Sequence, residues 1–134
     1  MDAKTAKFKL IQDSRGKLIV FLRQSELDEG KKKFGQIYFI TFSKKGVVRG
    51  NHYHKKWREW FGIVKGKLQV VVEDVRTKER KEFILNANTK DKYVRLEAGP
   101  YIAHSFKSLT KYAALLNYAD DEWHKGDVFS YKLL

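Results

Sequence analysis

The chain has 134 residues with one Pro and no Cys, and 28 Lys+Arg against 16 Asp+Glu leave a formal charge of +12. That length suits one core, so a single domain over residues 1–134 is expected, with its core at about 8–124. At 43% hydrophobic residues the chain is not of the disordered class, and without Cys it builds no disulfide framework, thiolate metal site or thiol nucleophile.

Frayed ends are expected at Met1 to Lys4 and over the last few residues. Lys17 to Leu22 reads as a first strand and holds the longest apolar run, far below the roughly 18–20 residues of a membrane span. Met1 to Lys7 has no apolar leader pattern, so a cytoplasmic protein with no membrane partner is expected. Around Ser25 to Lys32 a helical turn is expected, capped by Ser25 and ended by Gly30. Ile37 to Phe42 is a β-branched and aromatic run of strand length. Trp60 to Val64 and Leu68 to Val72 flank Lys65-Gly66-Lys67, a pattern that predicts a hairpin with Gly66 in the turn. Arg76 to Arg80 is a polar reversal before Glu82 to Leu85. Tyr93 to Leu96, Tyr101 to Phe106 and Tyr112 to Tyr118 complete the strands, with Pro100 confined to the turn before the second. About eight or nine short strands at this spacing predict an all-β sandwich or barrel.

The positive charge favours polyanionic partners. The basic residues gather in short groups at turns, as in Lys31-Lys32-Lys33, Lys44-Lys45, Lys55-Lys56 and Lys78 to Lys81. No helical stripe or nucleic-acid-binding motif organises them, so they read as a solvated surface and nucleic acid is not an expected partner. A small ligand carrying a diphosphate needs only two or three of them.

The histidines carry the chemistry. His52 and His54 stand at i and i+2, where a strand projects both rings from one face, and Glu59 follows. His104 supplies a third imidazole at a strand start after Gly99-Pro100. Such nitrogen and oxygen donors suit a divalent metal. Read alone, Glu59 is either a ligand or a surface charge paired with Arg58 or Lys56, and Tyr38 either a core or a catalytic residue. Trp57 and Trp60 read as packing or dimer-interface residues, His124 as a packing or hydrogen-bonding residue, and Asp120-Asp121 as a solvated turn.

The run from His52 through His54 and Glu59 to Gly66 resembles the first cupin motif, and Gly99 to His104 resembles a degenerate second one. Asp13-Ser14-Arg15-Gly16, Ile37 to Ile40 and Arg49 to Lys56 are similar to the dTDP-4-keto-6-deoxyhexose 3,4-ketoisomerases, the WxcM-like group. Ala103 to Leu109 is closer to the 3,5-epimerases of the rhamnose pathway. Gly50 to His54 with Glu59 also resembles the metal-binding cupin domain of capsular-polysaccharide sugar reductases. The resemblance implies an all-β fold, a double-stranded β-helix or cupin jelly-roll barrel with the histidines in its mouth. It also implies a homodimer acting on a nucleotide-diphosphate sugar in polysaccharide biosynthesis.

A 4-keto sugar has acidified protons on C3 and C5, and moving them takes a base near neutral pKa and a group that stabilises oxyanion charge. The resemblance makes His52 or His54 the base, with Tyr38 or His104 as partner. Arg15 and Arg49 become the diphosphate clamp, and Lys55, Tyr101 and His104 further substrate contacts. It implies a ketoisomerase that requires no cofactor, with epimerisation at C3 or C5 as the other reaction. The Glu59 spacing follows metal cupins instead, and Arg58 stands where the ketoisomerases have Glu. The alternative is therefore a cupin that holds a Zn-like divalent ion on His52, His54, Glu59 and His104 and binds or senses a small sugar or acid without turnover.

Overall fold

A computed structural model of the chain describes residues 1–28 and 34–134. In chain order the strands are β1 (Ala3–Phe8), β2 (Ile11–Asp13), β3 (Gly16–Leu18), β4 (Gln36–Phe42), β5 (Val48–Tyr53) and β6 (Glu59–Lys65). They continue as β7 (Lys67–Asp74), β8 (Arg80–Asn86), β9 (Tyr93–Ala98), β10 (Ile102–Ser108), β11 (Ala113–Ala119) and β12 (Phe129–Ser130). One five-stranded sheet has the order β1-β9-β6-β11-β4, a second the order β12-β5-β10-β7-β8, and β2 pairs only with β3. All pairings are antiparallel. This is the expected all-β jelly roll. No helix among the described residues is long and apolar enough to cross a membrane.

Strand alternation explains where the core sits. In β7, Leu68, Val70 and Val72 point inward and are buried. From the facing sheet Phe42, Phe61, Leu96 and Leu115 meet them in one apolar cluster. Burying each such side chain contributes about 1.5–3 kcal/mol. In β4 the opposite parity leaves Ile37 and Phe39 exposed on the outer face of an edge strand, at 57% and 67%.

Several sequence expectations are corrected. Gly66 is not the turn of a hairpin, because β6 pairs with β9 and β11 whereas β7 pairs with β10 and β8. The Lys65-Gly66-Lys67 link turns a corner between sheets. Gly66 has φ +80, and a Cβ there would lie 2.4 Å from the Tyr112 carbonyl oxygen, so the turn signal was real but its partners were not local. The strand expected over Lys17 to Leu22 stops at Leu18. Beyond it the Phe21 carbonyl accepts a hydrogen bond from Arg95 Nη1 at 2.7 Å instead of a strand neighbour.

Neither terminus is frayed. Ala3 to Phe8 pair with β9, and the backbone N–H groups of Leu133 and Leu134 donate to Asn51 Oδ1 at 2.8 and 3.1 Å. The helical turn is a 3-10 turn at Gln24–Glu26 with Arg23, not Ser25, at its N-cap. Gly30 and Lys31-Lys32-Lys33 lie outside the described residues. Asp120 is buried and accepts the Arg58 backbone N–H at 2.9 Å, so it is no solvated turn.

Candidate active site

The histidine cluster depends on a local irregularity in β5. His52 stands opposite His104 on β10, but Ser105 then stands opposite Gly50, so β5 carries one extra residue there. Gly50 has φ +96 and Asn51 φ +57, conformations that favour Gly and tolerate Asn. A Cβ on Gly50 would sit 2.6 Å from the His104 carbonyl oxygen, so only Gly lets the two strands approach. The Gly-Asn pair thus sets the rings of His52 and His104 edge to face, 4.9 Å apart.

His54 lies just past the end of β5 and is held from several sides. Its Nδ1 donates to the Asp127 carbonyl oxygen at 2.7 Å, and its carbonyl oxygen accepts the Tyr101 N–H at 2.7 Å. The Asp127 carboxylate accepts the backbone N–H groups of Lys55 and Lys56 at 2.9 and 3.1 Å. Trp57 stacks on the His54 ring at 4.1 Å and donates its Nε1–H to Glu59 Oε1 at 3.1 Å. Glu59, at the start of β6, is buried with Oε1 3.4 Å from His54 Nε2 and Oε2 3.3 Å from His104 Nε2. Arg58 does not pair with it. Instead Arg58 meets Asp2 at 2.5 Å and Glu97 at 2.7 Å.

Burial would lower the pKa of His54, but the hydrogen bond and charge of Glu59, with the Asp127 carbonyl, outweigh it and raise it. Burial would raise the Glu59 carboxyl, and the contacts from His54 and His104 instead hold it below its ordinary range. His104 is lowered, by burial first. His52 is pushed down to about 4, chiefly by burial and then by the charges of His104 and His54. Tyr38 is pushed up to about 12 by burial and by the Glu59 charge.

These groups share a cavity of about 160 Å³ between the sheets. Tyr38, Arg49, His52, His54, Glu59 and His104 all line it, so the structure unites six of the predicted residues. Arg49 is exposed and donates its Nε–H to the Thr41 carbonyl oxygen at 2.9 Å. Three others are not brought in. Arg15 is 88% exposed at the β2–β3 turn and paired with Asp13 at 2.6 Å. Lys55 lies over the Phe129 ring at 4.3 Å, outside the cavity. Tyr101 is in a left-handed turn at φ +66, not on a strand, and its ring lies between Tyr53 and Arg76. His124 is exposed, 3.9 Å from Asp121, and does not pack in the core.

Sequence reasoning missed Asp127, Trp123 and Asn117. Nothing local marks Asp127, which reaches His54 across a sequence gap of 73 residues. Asn117 did carry a signal, as a lone polar residue at inward parity in the apolar run Ala113–Ala119.

His52, His54 and His104 each offer a ring nitrogen, all within 4.8 Å of one another. The buried Glu59 Oε2 lies near His104 without an aligned hydrogen bond. Three imidazoles beside an undersatisfied carboxylate oxygen fit a divalent cation.

A family profile described as FdtA: WxcM-like, C-terminal, matches residues 1–132. The chain belongs to this WxcM-like family. Among solved structures it is similar to QdtA, a sugar 3,4-ketoisomerase from Thermoanaerobacterium thermosaccharolyticum in complex with TDP. The identity is 25% and the TM-score 0.76, covering 96% of this chain and 87% of that one. It is also similar to the 3,5-epimerase RmlC from Legionella pneumophila in complex with dTDP-4-keto-L-rhamnose, at 23% identity and TM-score 0.83, over 99% and 74% of the two chains. ChmJ, a 3'-monoepimerase from Streptomyces bikiniensis in complex with dTDP-quinovose, follows at 19% identity and TM-score 0.82, over 96% and 69%. At those identities the two epimerases bear on the fold alone. No curated protein matches the chain.

Proposed function

We propose that this WxcM-like protein isomerises a nucleotide-linked 4-keto-6-deoxy sugar, as a 3,4-ketoisomerase, by proton transfer through an enediol. Family membership and the likeness to QdtA support the substrate class. The observation that carries the chemistry is that His52 and Tyr38 line one cavity with their proton affinities driven apart. His52 is neutral at pH 7 and ready to accept a proton, whereas Tyr38 keeps its own and can donate.

In the proposed step His52 takes the proton from C3, and that C–H pair forms the C3–C4 double bond. The carbonyl pair moves onto O4, which receives a proton from Tyr38. O3 then gives up its proton as its pair forms the new carbonyl, and C4 receives a proton from His52. The phenolate of Tyr38 recovers the proton released at O3, so the enzyme ends as it began. His54, whose proton affinity Glu59 and the Asp127 carbonyl raise, is held beside the base in the cavity wall. A divalent ion on His52, His54 and His104 would supply Lewis-acid chemistry there but take up the His52 nitrogen that acts as base, so it belongs to the metal-holding alternative and not to this step. Arg49 at the cavity edge is suited to the diphosphate.

Ile37 and Phe39 on edge strand β4 form an apolar face that a second copy would cover, in a cytoplasmic homodimer serving polysaccharide biosynthesis. Phe39→Asp should then halve the mass seen by light scattering. The activity itself is tested with a dTDP-4-keto-6-deoxyhexose in deuterated water. A 3-keto product is expected. Deuterium at C3 or C5 with the 4-keto group retained would mean an epimerase, and no exchange with any nucleotide base would leave a non-catalytic, metal-holding binding module.

A further inference from the structure

We propose that Asn117 is a specificity-determining residue of this cavity, its carboxamide oxygen accepting a hydrogen bond from the C2 hydroxyl of the sugar. The inference rests on the reading of the site as one for a nucleotide-linked 4-keto sugar. Asn117 sits in the middle of β11, directly opposite Tyr38 on β4 and Phe61 on β6. Residues opposite each other in antiparallel strands share a face, so Asn117 belongs to the wall that carries Tyr38.

Asn117 is only 4% exposed. Its Nδ2 donates to the backbone carbonyls of Trp60 at 3.2 Å and Tyr118 at 3.4 Å. Both are pure acceptors, which fixes which end of the amide is nitrogen. Oδ1 then has no partner among the described residues and opens on the cavity. On that wall Ile40, Phe42, Phe61 and Leu115 cannot donate, and the Tyr38 hydroxyl makes no hydrogen bond to Oδ1. A buried acceptor left without a protein donor discriminates for a ligand that brings one.

The substrate chemistry identifies that donor. C1 of the sugar carries the diphosphate, C3 and C4 meet the acid and base, and C5 carries a methyl group. The C2 hydroxyl is the remaining donor on the ring.

The test compares the binding of TDP-4-keto-6-deoxyglucose with that of its 2-deoxy counterpart by calorimetry. Every protein carries His52→Asn to stop turnover, a change on the other sheet from Asn117. With Asn117 intact the parent sugar should bind about three- to tenfold more tightly. Asn117→Leu, close in volume but without an acceptor, should bring the ratio to about one, and Asn117→Asp, which keeps an acceptor, should preserve the preference. The ratio is taken within each protein, so a stability loss from the orphaned Trp60 carbonyl does not enter it. If Asn117→Leu does not fold, Asn117→Ala reads the same ratio. Equal binding of the two sugars with Asn117 intact, or a preference that survives in the Leu or Ala variant, overturns the inference alone. Failure to bind either sugar overturns the nucleotide-sugar reading and the inference with it.

Discussion

The cavity has an inner knot and an outer ring, and they differ in how their polar atoms are used. In the knot, Glu59 lies 3.3–3.4 Å from His54 and His104, the Asp127 and Ile102 carbonyls meet the other ring nitrogens, and Trp57 donates to Glu59 Oε1. In the ring, His52 and Tyr38 have no hydrogen-bond partner from the described residues, and Asn117 leaves its oxygen free. Fixed groups hold charge in place, whereas free groups meet a ligand. Burial lowers His52 in the ring and His104 in the knot, and it is outweighed at His54, where the Glu59 hydrogen bond and the Asp127 carbonyl act together.

Two substitutions test this division at its largest effect. His52→Asn should lower kcat by about 10²–10⁴-fold, the range of a lost general base, and leave urea unfolding unchanged. His54→Asn should lose activity as well, and in addition about 1–3 kcal/mol of stability, because the Asp127 carbonyl and Glu59 would be left buried without their donor. Equal destabilisation by the two substitutions would erase the distinction between knot and ring.

Tyr38→Phe comes next, with an expected loss of about a hundredfold in kcat, as for a single oxyanion donor, and no loss of stability because its hydroxyl has no partner among the described residues to abandon. The pH dependence of kcat/KM sharpens the same point. Activity should rise with pH as His52 loses its proton near 4, and fall only as Tyr38 loses its own near 12. The expected profile is a plateau from about pH 6 to 10, rather than the bell centred on an ordinary histidine near 6.5. Stopped assays over that range, with stability followed in parallel, would decide it.

What could be read in the sequence follows from the range of each interaction. The His52, His54 and Glu59 spacing, the strand Ile37 to Phe42 and the turn at Gly66 are short-range signals, and each marked something real. Glu59 could not be told from a surface charge because its burial depends on β9 and β11 closing over β6. Arg15 looked like a clamp because its motif is local, yet its place beside Asp13 leaves it away from its own chain's cavity. Gly66 marked a corner, but which strands pair after a corner is decided by the whole barrel. Asp127 lies in the short 3-10 turn between β11 and β12, and only the closed fold brings it to His54.

A second tied charge, outside the cavity, gives the smallest effect. Arg95 is buried on β9, with Nη2 2.6 Å from Glu26 and Nη1 on the Phe21 carbonyl. These contacts fasten the segment after β3 to the first sheet. Burial opposes ionisation of Glu26, but the hydrogen bond and charge of Arg95 outweigh it and lower its pKa. A carboxyl lowered on folding contributes stability above its unfolded value of about 4.5, and that contribution is lost as pH falls through the lower folded value. Urea midpoints should therefore drop as pH falls below about 4.5. Glu26→Gln should cost about 1 kcal/mol at pH 7 and flatten that slope, because the neutral amide keeps a hydrogen bond and gives up only the charge. It should leave kcat untouched, since Glu26 lies outside the cavity. A change in the pH profile of activity on Glu26→Gln would show that the cavity's charge is set from further away than the knot of His54, His104 and Glu59.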